Sequence, residues 1–415
     1  MPNEGPAAPG CAGAPAGTAR ATLWVRRVAV VALLMAAVNL RPAVTSLGPV
    51  LEEVRSSLGM SATAAGVLTS VPAVCFALVG SAAPRLARRY GPDRVIAAGM
   101  AAIAVGLATR PLVGGTGPFV ALSALALAGI AVANVLLPVV VKQRFPDRVG
   151  MMTGLYSMAL NLGASSAAAV TVPLAKAFGG DWRVGLGAWA AIAAVAVPPW
   201  LALARHPAAR MSDTAPATPG PATAPGVRVT RSPTAWALAV YFGLQATAAY
   251  VVIGWLPQIF RDAGLSAETA GLLFAVTSVL GIPLSFVLAA VAGRLHSQSG
   301  VAVAIGLVGI AGYAGLWAAP AAAPLLWAVL LGVANCSFPL ALTMIGMRGR
   351  DSATVIRLSA FAQSAGYLLS IPGPILVGAL YQHSGSWRAP LVLMALLMLP
   401  QLVAGWFAGR DRQIG

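Results

Sequence analysis

Charged residues are scarce in this chain of 415 residues, and acidic residues are the scarcest. Asp, Glu, Lys and Arg together make up 9% of the sequence, with 11 acidic against 27 basic residues, whereas 58% of the residues are hydrophobic. So few charges cannot cover the surface of a soluble protein of this length. The composition, with a mean hydropathy of +0.82, predicts a polytopic, all-α membrane protein.

Cysteine and histidine are also rare, and neither shows the spacing of a metal site. There are three residues of each type, and Cys75 and Cys336 lie within apolar runs, which argues against a disulfide framework. No glycine-rich phosphate-binding loop follows a strand pattern. We therefore predict no enzyme active site, no metal and no cofactor.

Long runs of apolar residues make up most of the sequence. An Ala/Pro/Gly-rich segment, 1–24, precedes them, and we expect it to be a disordered cytoplasmic tail. A Pro/Ala/Thr-rich segment, 205–233, reads as a flexible cytoplasmic linker between an N-terminal half, 25–204, and a C-terminal half, 234–408, which a tail at 409–415 follows. The twelve runs, numbered here as spans one to twelve, cover about 28–51, 62–83, 95–112, 119–141, 151–175, 184–204, 235–258, 267–292, 301–319, 323–346, 354–380 and 388–408.

Basic residues are distributed unequally between the two sets of loops. The side that holds both termini carries about 20 Lys and Arg, and the other side carries about six. This bias predicts that both termini are cytoplasmic. We therefore attribute the net charge of +16 to basic loop residues that set the orientation in the membrane, and we expect no nucleic-acid partner.

The second half of the chain repeats short motifs of the first. Gly59-Met60-Ser61-Ala62 returns as Gly264-Leu265-Ser266-Ala267, 205 residues later. Trp182-Arg183 returns as Trp387-Arg388 at the same shift, and Asn134 returns as Asn335 after 201 residues. Six spans separate each copy from its echo, so both copies cross the bilayer in the same direction. The pattern predicts two parallel six-helix repeats related by an axis along the membrane normal.

Arg41 is the deepest charge in a predicted span. Measured from Val28, a rise of about 1.5 Å per residue places it roughly 20 Å along span one, past the middle of a hydrocarbon core about 30 Å thick. An arginine at mid-helix costs about 2.5–3.5 kcal/mol on insertion scales. Its fork of donors matches a small planar or linear anion. We predict a substrate-binding cation; the alternative is a structural arginine that snorkels outward or caps a helix. Arg110, near the end of span three, is interpreted as an interfacial anchor.

Several motifs occur in a fixed order along the chain. They are Asn39-Leu40-Arg41-Pro42 with Gly48-Pro49, Gly66-Val67-Leu68-Thr69-Ser70-Val71-Pro72, Asn134-Val135-Leu136-Leu137-Pro138, Lys142-Gln143-Arg144-Phe145-Pro146-Asp147-Arg148, Trp255-Leu256-Pro257 and Gly264-Leu265-Ser266. In this order they resemble the major facilitator superfamily and, within it, the branch of cyanate and 2-nitroimidazole transporters. The resemblance implies the major facilitator fold in a plasma membrane and transport of a small solute.

One loop departs from the superfamily's pattern. Between spans two and three the family usually places an Asp-Arg pair shortly after a glycine, whereas here Pro84 stands at the aspartate position after Gly80. The gating contact credited to that aspartate is therefore in doubt. Arg85, Arg88 and Arg89 remain, as ligands for anionic lipid or helix ends, or as topology signals only.

The resemblance also implies which spans line the substrate cavity. Polar and aromatic side chains on them are candidate binding residues, although such side chains also join helices and form interfacial belts. The predicted substrate-binding residues are Arg41, Asn39, Thr45, Asn134, Tyr156, Asn161, Gln245, Tyr250, Trp255, Asn335, Gln363 and Tyr367.

Acidic side chains are missing from the predicted spans. All eleven Asp and Glu fall in predicted loops or tails, so no carboxylate is available to carry a proton at the midplane. We expect any coupling to work through the substrate's own charge, a co-bound proton or exchange. Prolines within or near the spans predict kinks about which residues 28–204 could rock against 235–408.

These features leave more than one function open. The first is a secondary active or facilitative transporter, expected to be a monomer, that moves a small anionic or polar nitrogen-containing solute by alternating access. The alternative is an efflux carrier for aromatic drugs, with Tyr156, Tyr250, Trp255 and Phe361 as stacking surfaces and Arg41 structural. A third is a sensor or scaffold that keeps this fold without transporting.

Overall fold

The computed structural model describes residues 16–206, 229–350 and 352–414. Within these ranges the chain is helical, and its only β-type pairing is an isolated bridge between Gly349 and Ile414. Twelve spans in the described ranges are long and apolar enough to cross a membrane, which confirms the predicted all-α architecture. Because the number of spans is even, the first and the last described residues lie on the same side of the helix bundle, which is called here the termini side. The opposite side is called the far side. That the termini side is cytoplasmic stays a prediction.

The helices follow the predicted order of spans. They are Ala16–Asn39, Pro42–Thr45 and Leu51–Leu58 in span one, Ala62–Tyr90 in two, Pro92–Thr109 in three, Thr116–Arg144 in four, Val149–Ala177 in five, Trp182–Gly187 and Trp189–Arg205 in six, Pro233–Asp262 in seven, Ala267–Arg294 in eight, Ser299–Ala318 in nine, Pro324–Asn335 and Ser337–Arg348 in ten, Ser352–Ser370 and Pro372–Ser384 in eleven, and Arg388–Ala408 in twelve. Short 3₁₀ turns cover Gly48–Val50, Arg110–Leu112, Pro146–Arg148 and Val229–Arg231.

The ends of the chain differ from the expectation in one respect. The first helix begins at Ala16, inside the segment 1–24 that we expected to be disordered. Residues 1–15 and most of the predicted linker, 207–228, lie outside the described residues. The C-terminal tail is held in place, because the Ile414 backbone N–H donates to the Arg348 carbonyl at 2.7 Å.

The internal repeat corresponds to a shared turn. Gly59 and Gly264 both adopt positive φ, at 60° and 94°, a region that side chains other than glycine rarely tolerate. The serine two positions later caps the next helix in each copy: Ser61 Oγ accepts from the Ala64 backbone N–H and Ser266 Oγ from that of Thr269. The repeated motif therefore forms the turn and the capped helix N-terminus at the start of spans two and eight.

Span one is interrupted in its middle, whereas its counterpart, span seven, is one unbroken helix. The first helix ends at Asn39, a short helix follows at Pro42–Thr45, and a 3₁₀ turn follows at Gly48–Val50. Pro42 and Pro49 have no N–H with which to continue the helical ladder. Gly48 lets this broken segment approach span seven, because a Cβ there would lie 2.5 Å from the Ile253 carbonyl oxygen.

Candidate functional site

Arg41 lies at the interruption of span one, between Asn39 and Pro42, and it is half-buried. In the described part of the chain its guanidinium has no hydrogen-bond or ion-pair partner, whereas its carbonyl accepts from the backbone N–H groups of Val44 and Thr45, both at 3.0 Å, and from Thr45 Oγ1 at 3.1 Å. Tyr250 of span seven and Tyr367 of span eleven both lie within electrostatic range of the charge. Three of the predicted residues, from both halves, therefore lie near one another.

Aromatic rings fix Tyr367 at the boundary between the halves. Its ring stacks on Phe76 of span two, with ring centres 5.1 Å apart, and meets Phe242 of span seven edge-on at 5.0 Å. Both contacts have the offset or perpendicular geometry that aromatic pairs prefer. The Tyr367 ring is thus held against both halves beside the Arg41 charge.

A second group of predicted residues lies toward the termini side of Tyr250. Gln245 Nε2 donates to Asn335 Oδ1 at 3.4 Å and joins spans seven and ten. Gln245 is 3% exposed, and its Oε1 has no partner among the residues that the structure describes. On span five, Asn161 donates to the Ser157 carbonyl at 2.9 Å and its Oδ1 faces Gly281 of span eight. Only Asn161 of these residues is seen to face the other half, and all three remain binding predictions.

The other predicted residues lie elsewhere or are engaged within their own half. Asn39 is buried and donates to the carbonyls of Met35, at 2.8 Å, and Ile192, at 3.3 Å, so it joins spans one and six. Thr45 is buried too. Gln363 donates to Ser359 Oγ at 2.7 Å on its own span, and Asn134 and Tyr156 are half-buried on spans four and five.

Trp255 belongs to an aromatic cluster near the far side. Its side chain is 0% exposed and packs against Trp387, at 5.5 Å between ring centres, and Tyr381, at 6.2 Å. The Tyr381 hydroxyl and the Trp387 indole N–H both donate to Asp262 Oδ2. In this state Trp255 offers no free face for a substrate ring.

Arg110 is not the interfacial anchor that we expected. It is 1% exposed, its Nη1 donates to the Ala43 carbonyl at 2.9 Å, and its Nη2 lies 3.5 Å from Ser46 Oγ. The interruption of span one leaves carbonyls without helical N–H partners, and such groups need another donor in a low-dielectric interior. Arg110 supplies that donor from span three, and sequence position alone gave no sign of it.

One carboxylate is more deeply placed than we expected. Asp93 was assigned to a loop, but it lies in the first turn of span three, is 3% exposed and forms an ion pair with Arg144 at the end of span four. The pairing explains the burial, because a buried charge needs an opposite charge. Each carboxylate in the described ranges still lies in a turn or in the first or last turn of a helix, away from Arg41.

The two halves are joined on the far side. Arg261 of span seven donates to Glu53 at 2.8 Å and to the Pro49 carbonyl at 3.2 Å, and Lys176 forms an ion pair with Glu268. The backbones also approach closely, since a Cβ on Gly378 of span eleven would lie 2.3 Å from the Ala62 carbonyl oxygen of span two. The far side is therefore closed.

The termini side shows the opposite arrangement. Arg85, Arg88 and Arg89 are exposed and form no hydrogen bond or ion pair with other described residues, and Arg89 lies over the ring of its neighbour Tyr90. Arg348 is buried but donates within its own half, to the carbonyls of Ala408, at 3.1 Å, and Gly409, at 2.9 Å. No hydrogen bond or ion pair among the described residues joins the halves on this side.

Comparisons with known proteins agree with this architecture. The model of the Major Facilitator Superfamily matches residues 29–371. A Bacillus subtilis protein described as an uncharacterized transporter is 36% identical over 92% of this chain and 93% of its own length. A 2-nitroimidazole transporter of Escherichia coli is 33% identical over 94% of this chain and 97% of its own. A cyanate transport protein of the same species is 30% identical over 89% and 94%.

Solved structures share the fold at low sequence identity. A D-xylose–proton symporter superposes with a TM-score of 0.71 over 94% of this chain and 98% of its own, at 14% identity. The relatives are transporters and not enzymes. The chain therefore belongs to the major facilitator superfamily and is a multi-pass transporter of the bacterial inner membrane.

Proposed function

We propose that this transporter moves a small anionic or polar nitrogen-containing solute past Arg41, by secondary active or facilitative transport. The observation that carries the proposal is the Arg41 guanidinium, which is half-buried between the halves and has no acidic partner among the described residues. An unpaired charge inside a membrane is costly and is expected to meet a ligand. The names of the two Escherichia coli relatives, a cyanate and a 2-nitroimidazole transporter, fit this class of solute.

The surroundings of Arg41 suit a planar solute with acceptor atoms. The guanidinium supplies two parallel N–H donors, and the hydroxyls of Tyr250 and Tyr367 lie within its field. The ring of Tyr367 and the neighbouring ring of Phe76 form an apolar wall beside these donors. Farther toward the termini side, Gln245 Oε1 has no partner within the described ranges, and we propose it as an acceptor for an N–H of a neutral substrate.

The mechanism we propose is alternating access. The far side is closed by polar contacts between the halves, whereas no hydrogen bond or ion pair between described residues joins them on the termini side, and we propose that this state opens toward the termini side. Rocking of the two halves would release the far-side contacts and expose the same charge to the other side. Because no described carboxylate lies near Arg41, the substrate's own charge, a co-bound proton or exchange would supply any coupling.

The alternative function, an efflux carrier for aromatic compounds, requires aromatic rings with a free face for stacking, and two of the four candidate rings are already packed against other rings. Trp255 is enclosed by Tyr381 and Trp387, and Phe361 meets Trp236 edge-on at 5.1 Å between ring centres. Of the four rings considered for stacking, only Tyr156 and Tyr250 remain without an aromatic partner among the described residues. The unpaired charge at Arg41 would also have no role in that function.

The test is transport by the reconstituted protein. Uptake of labelled cyanate and binding of a 2-nitroimidazole are measured for the wild type, Arg41→Ala and Arg41→Lys. Two charge-assisted hydrogen bonds predict a loss of at least about 100-fold in Arg41→Ala, with partial activity in Arg41→Lys because the charge remains without the fork.

The matched control is Arg94→Ala, which removes an exposed arginine near the termini side. Folded yield is compared by size-exclusion profile in every variant. Undiminished cyanate uptake by Arg41→Ala would remove Arg41 from the mechanism. Transport of an aromatic drug that is insensitive to Arg41 would establish the alternative instead.

A further inference from the structure

A small cavity lies beside Tyr250, between Arg41 and the far side. Spans one, two, three, four and seven meet around it, and its polar lining consists of Thr69, Arg110, Ser123 and Tyr250. Arg110 and Ser123 are each 1% exposed. The cavity has room for about one water-sized particle, so it cannot take an aromatic ring in this state.

Two polar atoms of this lining have unused hydrogen-bonding capacity. The Nε–H of Arg110 and the Oγ of Ser123 are both buried without a partner in the described structure. Thr69 is already satisfied, since its Oγ1 donates to the Gly66 carbonyl at 3.0 Å. Buried donors without acceptors are costly, and native structures usually fill such positions with an ion or a water.

The charge of the lining selects the sign of the ligand. Arg110 has only neutral partners in the described ranges: the Ala43 carbonyl, Ser46 Oγ and the face of the Phe119 ring. Its Nε–H and the hydroxyls of Ser123 and Tyr250 can all donate to a ligand placed among them. A cation would be repelled by the guanidinium, whereas a small anion would accept all of these hydrogen bonds.

We infer that this cavity is a second anion site, which holds a single small monovalent anion of halide size on the far side of Arg41. Tyr250 lines the cavity and also lies in the field of Arg41, so it connects the two positive sites. An anion that leaves Arg41 toward the far side would meet Arg110 next. The role in transport rests on the proposed function, whereas binding at the cavity does not.

The probe is bromide, added to the purified full-length protein at constant ionic strength with gluconate as the balancing anion. Bromide is expected to raise the thermal unfolding temperature in a saturable way, and Ser123→Ala is expected to weaken its apparent affinity about tenfold, because one hydrogen bond to a charged ligand is lost. Arg41→Ala is expected to retain the response. Ser81→Ala, which removes an exposed hydroxyl, is the matched control.

The anomalous signal of bromide in crystals gives the position, expected within hydrogen-bonding distance of Arg110 Nε and Ser123 Oγ. A response that Arg41→Ala abolishes and Ser123→Ala leaves intact would overturn the inference, because the anion would then bind at Arg41. The absence of any bromide response would overturn it as well and would leave a water in the cavity. If Arg41→Ala transports normally while bromide binding still depends on Ser123, the cavity site stands and the proposed function fails.

Discussion

Charged side chains make different kinds of contact on the two sides of the bundle. On the far side they bridge the halves, as in Arg261 with Glu53 and Lys176 with Glu268. On the termini side the buried ones stay within one half, as in Asp93 with Arg144, or Arg348 with Gln298. The first kind of contact must break when access alternates, whereas the second need not. Far-side changes should therefore alter the conformational equilibrium, and termini-side changes should alter the stability of a half.

The largest effect is expected at the buried ion pair of the N-terminal half. Asp93→Ala leaves Arg144 buried without its counter-charge, which is expected to lower the free energy of unfolding by about 3–5 kcal/mol. Thermal unfolding in detergent measures this loss. Asp147→Ala, which removes an exposed carboxylate on the same side, is the control and should behave as wild type. Replacing both partners, in Asp93→Ala/Arg144→Met, should recover part of the stability; an unaltered Asp93→Ala would contradict the comparison.

A far-side backbone contact should affect transport more than stability. Gly378→Val places side-chain atoms against the Ala62 carbonyl, so the far side cannot close. We expect transport to fall at least about 50-fold, the effect of about 2.3 kcal/mol on the closed state. A cysteine introduced at Thr63, whose hydroxyl now binds Gln382 at 2.8 Å, should become more reactive toward an impermeant thiol reagent.

The control for this change is Gly114→Val, since a Cβ at Gly114 would meet nothing within 4 Å. Gly114→Val should transport normally. If Gly378→Val also transported normally, close approach of spans two and eleven would not be required for the transport cycle.

A single inter-half ion pair should have a moderate effect. Glu53→Gln removes the partner of Arg261 in a pair that is partly exposed, and such pairs contribute roughly 0.2–1 kcal/mol. The far-side-closed population should fall by up to about fivefold, measured as increased labelling of the same cysteine at position 63. Glu52→Gln is a close control, because Glu52 pairs with Arg55 in the same helix. Equal effects of the two substitutions would contradict an inter-half role for Glu53.

The smallest effect is expected at the exposed arginines of the loop between spans two and three. Arg85, Arg88 and Arg89 form no hydrogen bond or ion pair with the described part of the C-terminal half in this state. The triple substitution to Gln should therefore leave the rate of cyanate uptake within about twofold of the wild type, as expected for topology signals. A tenfold loss at normal protein yield would show that these side chains form a gate in the other state.

Local features of the sequence predicted the fold well. Each span is a contiguous apolar run, and the turn at Gly59 is fixed by residues next to it, so both could be read without the tertiary structure. The parallel repeat followed from the same local signals. The site was harder to predict, because its geometry joins distant segments. The nearness of Tyr367 to Arg41 depends on packing between the halves, which no local pattern specifies.

The errors have the same physical origin. Arg110 was assigned to the interface because it ends an apolar run, yet its burial is decided by the broken segment of span one, 67 residues earlier. Asp93 was assigned to a loop because it follows Gly91-Pro92, yet Arg144, 51 residues later, makes its burial possible. In both cases a hydrogen-bonding partner distant in sequence offsets the free-energy cost of burying a charged side chain. The sequence around the buried residue gives no sign of that partner.

The interruption of span one also constrains how the protein is made. Span one leaves the ribosome before Arg110 has been synthesised, so the Ala43 carbonyl has no guanidinium partner while the first helix enters the bilayer. Until span three arrives, this carbonyl needs another hydrogen-bond donor, such as water. The Ala43 carbonyl therefore gains its guanidinium donor only after span three has entered the membrane.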